Sequence, residues 1–387
     1  MADALRILQL NSARKYVGEA AHTLNLTEAL RLRGHTVWLG LRKNFETHDR
    51  AVERGLEPIG FHMPSRWWPP QDARDIHAIA KLVKQEKIDL IHAHRGKDHW
   101  QAVFANRLYS LDIPVIRTRH VVTPLHNHAA NRWLARRTAA MVLVSKAVET
   151  DVRRAGLFEG ERLVFIPGGI DLSLYNPATQ ARNAAARVAL GLPGDALVAV
   201  CVARFAMVKA HNVLLRAWQL VRVRLPNAIL VLVGAGRFFE ESKALARSLV
   251  IEDSVLFLGK RKDVPGILDA ADAGVLSSIG SEGFSRAVLE YMASALPTAA
   301  TRVGAVPDLI DDGVNGKLAE PNNVESLANA IIAVLGARAE QRRVWGRAAF
   351  EKAELGYSYA SWSEAHEKLY ARLLADGTPA AHVNVGE

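Results

Sequence analysis

The sequence predicts an α/β protein of two parallel-sheet halves, and three observations predict it. With 387 residues, 49% of them apolar, the chain can bury two cores of ordinary domain size. Short β-branched runs alternate with amphipathic stretches of helical spacing through both halves, the pattern of strands joined by crossover helices. That alternation is interrupted at Pro167-Gly168-Gly169, followed by Asn176-Pro177 and a polar segment to about Ala185. Such a turn-rich stretch is where an interdomain connection is expected.

The first half opens with a strand at Leu5 to Leu10, a helix at His22 to Arg33 closed by Gly34, and a strand at Thr36 to Leu41, a βαβ start. A helix around Ala73 to Gln85 follows, then strands at Ile88 to His92, Pro114 to Thr118 and Ala140 to Val144, with a helix after Ser145. In the second half the expected strands are Leu197 to Val202, Ile229 to Val233, Val255 to Leu258, Gly274 to Leu276 and Thr298 to Ala300, each followed by a helical pattern. The ligands of such sheets sit at the carboxyl ends of the strands. Two of them facing across a cleft would offer one side to each of two substrates, which suits group transfer.

The net charge of +9 favours an anionic partner: a nucleotide, a nucleic acid, an acidic glycan or an anionic membrane surface. Nucleic acid is set aside, because the cations are scattered through helical segments without zinc-finger spacing, an RNP-like aromatic motif or a basic repeat. The single Cys201 lies in an apolar run and reads as a buried structural thiol. The opening MADALRILQL has no basic start followed by an apolar stretch of signal length, and no run reaches the ~18 apolar residues of a spanning helix. The expectation is a cytoplasmic protein, soluble or peripheral on the inner face of the plasma membrane.

Two loops carry the chemistry. Ser277 to Arg286 leaves a strand and enters the helical pattern Ala287 to Ala293, so backbone N–H groups near Phe284 and Ser285 meet the positive end of a helix dipole, a site for a diphosphate. Gly283 permits close approach of a ligand. Glu282 precedes the helix and Glu290 lies inside it. Carboxylates accept hydrogen bonds from sugar and ribose diols, but two glutamates at this spacing are equally a solvated helix pattern. Arg204 and Lys209 lie in the loop after Leu197 to Val202, where they would stabilise charge on a departing nucleoside diphosphate or stand as solvated loop cations.

Taken together, Arg204 with Lys209, Glu282 through Glu290, Phe165 to Asp171 and Thr301 to Asp308, with the N-terminal Val17 to His22 loop, resemble family 4 (GT4, glycosyl transferases group 1) of the retaining glycosyltransferases. The resemblance spans nearly the whole chain. It implies the GT-B fold, two facing Rossmann-like domains with a deep interdomain cleft. The expected parts are residues 1–177 for the acceptor, 178–357 for the nucleotide-sugar donor, a helix over 358–375 packing back on the first domain, and a disordered tail over 376–387.

The resemblance assigns the donor diphosphate to Arg204 and Lys209, with Gly18 approaching the phosphates, the transferred sugar to Glu282, and the nucleotide ribose to Glu290. His120, at the end of a predicted strand, is implied to contact the donor sugar and the reaction centre, where a lone histidine otherwise reads as a structural hydrogen bond. The chain departs from the family pattern at Val17 in place of a first glycine, Gly168 in place of Asn, Ala210 in place of Gly and Asp308 in place of Glu. No metal is expected, although His92, His94 and His99 cluster near a strand end and imidazoles bind zinc.

The expected activity is transfer of a sugar from a UDP- or GDP-linked donor to a hydroxyl of a glycan or lipid-linked acceptor, in lipopolysaccharide or envelope polysaccharide synthesis. No separate cofactor is expected. The leaving phosphate would take the acceptor proton. Ser65 to Pro70, with Trp67 and Trp68 beside Arg66, and the run Arg132, Trp133, Arg136 and Arg137 suit an anionic lipid surface or stacking on a sugar ring, or partial burial. The rivals are a nucleotide-sugar epimerase, a non-catalytic sugar- or nucleotide-binding protein on the same scaffold, and a dinucleotide oxidoreductase using Gly234-Ala235-Gly236. That last fingerprint lacks its third glycine, with Phe239 in its place.

Overall fold

The computed structural model describes residues 4–280 and 282–376, and the tail expected to be disordered lies, past Asp376, outside them. The chain divides into two compact units, the described residues to Gly169 with those from Tyr359 onward, and Ile170–Ser358.

The first unit holds a seven-stranded sheet of β1 (Arg6–Asn11), β2 (Thr36–Arg42), β3 (Ile59–Phe61), β4 (Leu90–Ala93), β5 (Val115–Arg119), β6 (Ala140–Leu143) and β7 (Leu163–Phe165), in the order β3-β2-β1-β4-β5-β6-β7. Every pairing is parallel, so each connection must cross the sheet and both faces are covered. Along β1, Leu8 and Leu10 enter one core and Ile7 the other, the side-chain alternation of a strand buried on both faces. The helix Lys146–Ala155 starts where Ser145 accepts a hydrogen bond from Val148 N at 3.3 Å, an N-cap.

The helix Tyr359–Ala375 belongs to this unit. Trp362 is buried against Gly169, where a Cβ would meet the indole at 2.3 Å, so only glycine fits there. Tyr370 OH is hydrogen-bonded to His92 Nδ1 at 2.7 Å, and Glu367 pairs with Arg33.

The second unit holds a six-stranded parallel sheet of β8 (Leu197–Val202), β9 (Ala228–Val233), β10 (Val255–Gly259), β11 (Ala273–Leu276), β12 (Thr298–Thr301) and β13 (Gly316–Ala319), in the order β10-β9-β8-β11-β12-β13. Val198 and Val200 face one core, Ala199 and Cys201 the other. The polar segment expected to link the halves is no linker from Gln180 on: Gln180–Ala189 is a helix, capped by Thr179 Oγ1 accepting from Arg182 N at 3.2 Å. Tyr175 already packs in this unit's core. The division between Gly169 and Ile170 therefore precedes the break expected after Pro177, because apolar residues beyond the glycine pair are claimed by the second core.

Candidate functional site

In the second sheet the chain leaves β8 for β9 and β10 on one side and returns to β11 on the other. Loops diverging at such a reversal open a crevice at the carboxyl ends of the two strands. The loops that diverge here hold Arg204 and Lys209 after β8, and Glu282 after β11. Residues far apart in sequence thereby meet.

Backbone and hydroxyl hydrogen bonds join the two loops: Ile279 N donates to Val208 O at 2.9 Å and Ser277 Oγ to Lys209 O at 2.8 Å. The Lys209 ammonium contacts Glu282 Oε1 directly, and Ser278 Oγ donates to the same oxygen at 2.6 Å. Glu282 is buried and Lys209 half-buried, so the pair is shielded enough for its charges to matter. Arg204 is exposed, and no carboxylate among the described residues pairs with it.

The segment Thr301 to Asp308 acts as a buttress for the backbone of Glu282. Ala305 N donates to Glu282 O at 2.7 Å, and Gly304, at φ +52°, lies so close that a Cβ would meet that oxygen at 2.0 Å. Both the conformation and the approach require glycine.

Glu290 is 5% exposed, which rules out a solvated helix residue. Its Oε1 accepts from Arg286 Nε at 2.8 Å and from Tyr175 OH at 3.1 Å; burial, and then the Glu290 charge, push the Tyr175 phenol above its usual range. The helix Arg286–Ala293 begins after Ser285, whose side chain makes no cap and whose Oγ is buried without a hydrogen-bond partner among the described residues. Its first-turn N–H groups have no intrahelical acceptor. Phe284, partly buried, packs on the core beneath.

Gly234 and Gly236 have a structural explanation. Both adopt positive φ, and a Cβ would meet Ala203 O at 2.0 Å and Phe205 O at 2.3 Å respectively. These glycines let the β9 loop pack on the β8 loop, and no dinucleotide is needed to account for them. Cys201 is buried, and burial pushes its thiol up to about 12, an inert group.

Gly18 and His120 lie in the first unit. Gly18 opens the helix Gly18–Leu32, and nothing lies within 4 Å of where its Cβ would be, so no packing within the unit demands glycine there. His120 follows β5 in a buried histidine cluster that sequence reasoning did not assemble. Its Nε2 is hydrogen-bonded to His94 Nδ1 at 3.1 Å, and His94 Nε2 to Gln9 Oε1 at 2.5 Å. Its ring meets His22 edge-on at 4.5 Å. Burial, then the Arg117 and Arg95 charges, lower His120 to about 3, so it is a neutral hydrogen-bonding group.

The grouping of His92, His94 and His99 is corrected. His92 stacks on His94, but His99 turns to Thr138 Oγ1 at 2.8 Å. The nitrogens within 4.8 Å of one another belong to His22, His94 and His120; a metal there would have to replace the His94–His120 hydrogen bond.

Trp67 and Trp68 are exposed, with Lys97 Nζ 3.8 Å from the Trp67 ring centroid. Trp133 instead stacks on Trp100 at 5.8 Å beneath Arg137, which accounts for that aromatic within the fold. No helix among the described residues is long and apolar enough to cross a membrane.

Comparison with known proteins identifies the family. The family model of glycosyl transferases group 1 matches residues 183–352, and that of glycosyltransferase family 4 matches residues 17–174. A D-inositol 3-phosphate glycosyltransferase of Saccharomonospora viridis is 30% identical over 382 residues, 89% of this chain and 86% of the relative. The UDP-Gal:alpha-D-GlcNAc-diphosphoundecaprenol alpha-1,3-galactosyltransferase of Escherichia coli is 25% identical over 279 residues, 68% of this chain and 70% of the relative. Among solved structures, Anabaena HepE in complex with UDP and glucose superposes with a TM-score of 0.80 at 21% identity, covering 95% of this chain and 100% of that one. With family models matched in both halves and a relative 30% identical across most of both chains, this protein belongs to the group 1 (family 4) glycosyltransferases and has their GT-B fold of two parallel α/β units.

Proposed function

We propose that the second unit binds a nucleotide-diphosphate sugar at the β8/β11 reversal and that the enzyme transfers the sugar, with retention of anomeric configuration, to a hydroxyl of a glycan or lipid-linked acceptor. One observation carries this reading: Lys209 and the buried Glu282 are brought into contact by two loops whose backbones are tied together, beside an uncapped helix N-terminus. Cations and the N–H groups of a helix N-terminus suit the diphosphate, and a carboxylate on a buttressed backbone suits sugar hydroxyls. The side-chain hydrogen bonds of Glu282 among the described residues fall on Oε1, leaving Oε2 for the donor. Glu290, oriented by Arg286 and Tyr175, is assigned the ribose. UDP and GDP are the nucleotides favoured, UDP with the support of the relative whose name specifies UDP-Gal.

In the transfer step the bond between the anomeric carbon and the diphosphate oxygen breaks, its electron pair leaving with the diphosphate. The acceptor oxygen bonds to that carbon on the same face, and its proton passes to the departing phosphate. Arg204, Lys209 and the N–H groups at Phe284 and Ser285 stabilise the charge that develops, without a metal ion. Gly18 is assigned to close approach of the donor phosphates and His120, neutral, to a sugar hydroxyl. The acceptor is assigned to the first unit and, with the E. coli relative named for a diphosphoundecaprenol acceptor, to cell-envelope glycan assembly at the cytoplasmic membrane face.

The test is a product assay with radiolabelled UDP- and GDP-sugars and a bacterial envelope lipid extract, with anomeric configuration read by NMR. An α-linked product from an α-linked donor is expected. Sugar isomerisation without transfer would establish the epimerase, donor binding without turnover the non-catalytic protein, and a glycosyl group trapped on a carboxylate would refute the same-face route.

A further inference from the structure

The first sheet has its own reversal, between β1 and β4, and arginines gather there. Arg14 follows β1, Arg42 ends β2 and Arg95 follows β4. The guanidinium carbons of Arg14 and Arg42 lie 4.9 and 4.6 Å from the centroid of the same ring, Phe45, so one aromatic ring holds two like charges. Arg42 Nη1 donates to Ser65 Oγ at 2.9 Å, while its Nε is buried with no hydrogen-bond partner among the described residues.

No carboxylate among the described residues forms an ion pair with Arg14 or Arg42, whereas Arg95 is paired with Glu19. Burial, and after it the charges of Arg14 and Arg95, hold the Arg42 guanidinium below its ordinary range; Asp75 alone pulls the other way. The carboxylate of Asp75 is engaged by the backbone N–H groups of His62 and Met63, at 3.0 and 2.7 Å. Like charges fixed together without a counter-ion repel one another, and a bound anion removes that cost. Guanidinium forks match phosphate oxygens bidentately.

We propose that Arg14 and Arg42 bind a phosphate group of the acceptor, which is therefore a phosphate ester, an inference that rests on the assignment of the acceptor to the first unit. Inorganic phosphate is the probe. It is titrated calorimetrically into the full chain carrying Arg204→Ala, so that the exposed cation of the second unit does not compete, and into the same chain with Arg14→Gln and Arg42→Gln added. Binding by the first protein and a loss of at least about tenfold in the second are expected, since hydrogen bonds to charged groups are lost. Equal affinity, or no phosphate binding by the first protein, overturns the proposal.

Arg14 is exposed, so Arg14→Gln alone serves if the double substitution unfolds, with a loss of at least about threefold expected. Two arms separate the sources. Arginine-dependent sedimentation with phosphatidylcholine vesicles containing phosphatidate assigns the phosphate to a lipid, and arginine-dependent glycerol phosphate binding without sedimentation assigns it to a soluble acceptor. If UDP and GDP fail to bind the wild-type chain while phosphate binds through Arg14 and Arg42, the donor reading fails and this site stands.

Discussion

Acid should unfold the first unit well before the second. Burial is the leading cause that lowers the titration of His22, His92, His94, His99, His120 and His366 in the first unit, with His120 at about 3 and His366 at about 4. In the second unit His211 is lowered to about 4, again mainly by burial. The folded state holds these rings neutral, and the unfolded chain protonates them near pH 6.5. Below that pH the unfolded state binds more protons, so stability is complete above about 6.5 and falls with pH until the folded-state values are reached.

Between about pH 7.5 and about pH 5.5 each such histidine costs about 1.4 kcal/mol of stability. That amounts to about 8 kcal/mol for the six in the first unit if they act independently, against about 1.4 kcal/mol for the second. Glu19 and Asp98, raised chiefly by burial, work in the opposite direction and reduce the slope. Guanidinium melts at the two pH values, with hydrogen exchange read separately on peptides of each unit, measure the difference. Equal loss in both units, or no loss in the first, would show that the buried histidines are not held neutral.

Ala210 sits at φ 47° and ψ 47° at the start of the helix His211–Arg224, where a side chain costs about 1–2 kcal/mol. Ala210→Gly should therefore raise the melting temperature of the second unit by about 2–4 °C, measurable by calorimetry. Gly304→Ala should displace the Glu282 backbone, lowering donor affinity by more than about tenfold while leaving the first unit's melt unchanged; wild-type affinity would dismiss the buttress. Trp362→Ala, emptying a fully buried site, should cost about 3–5 kcal/mol in a denaturant melt of the first unit.

The strands legible in the sequence are the central ones, where burial on both faces leaves unbroken apolar runs such as Leu197–Val202, and one five-residue edge strand, Val255–Gly259. Those missed, Ile59–Phe61, Leu163–Phe165 and Gly316–Ala319, are short edge strands with too few residues to show a period. The cations and carboxylates of the second unit were legible as types at motif positions. Their contacts were not, since the Lys209–Glu282 pairing depends on β8 lying next to β11, a fact of strand order. The histidine cluster was hidden for the same reason. It joins residues after β4 and β5 to one in the helix Gly18–Leu32, and no local spacing encodes that. Ala210 shows the reverse case: its departure from the family glycine was visible, and the structure supplies the reason glycine is usual there, a left-handed backbone.

Calorimetric titration of the wild-type and Arg204→Ala chains with UDP, GDP, ADP and a dinucleotide, in the presence of EDTA, tests the central claim most directly. The donor site built from Arg204, Lys209, Glu282 and Glu290 predicts that one nucleoside diphosphate binds and that Arg204→Ala weakens it by at least about tenfold. Binding of the dinucleotide only, or equal binding by both proteins, would contradict it.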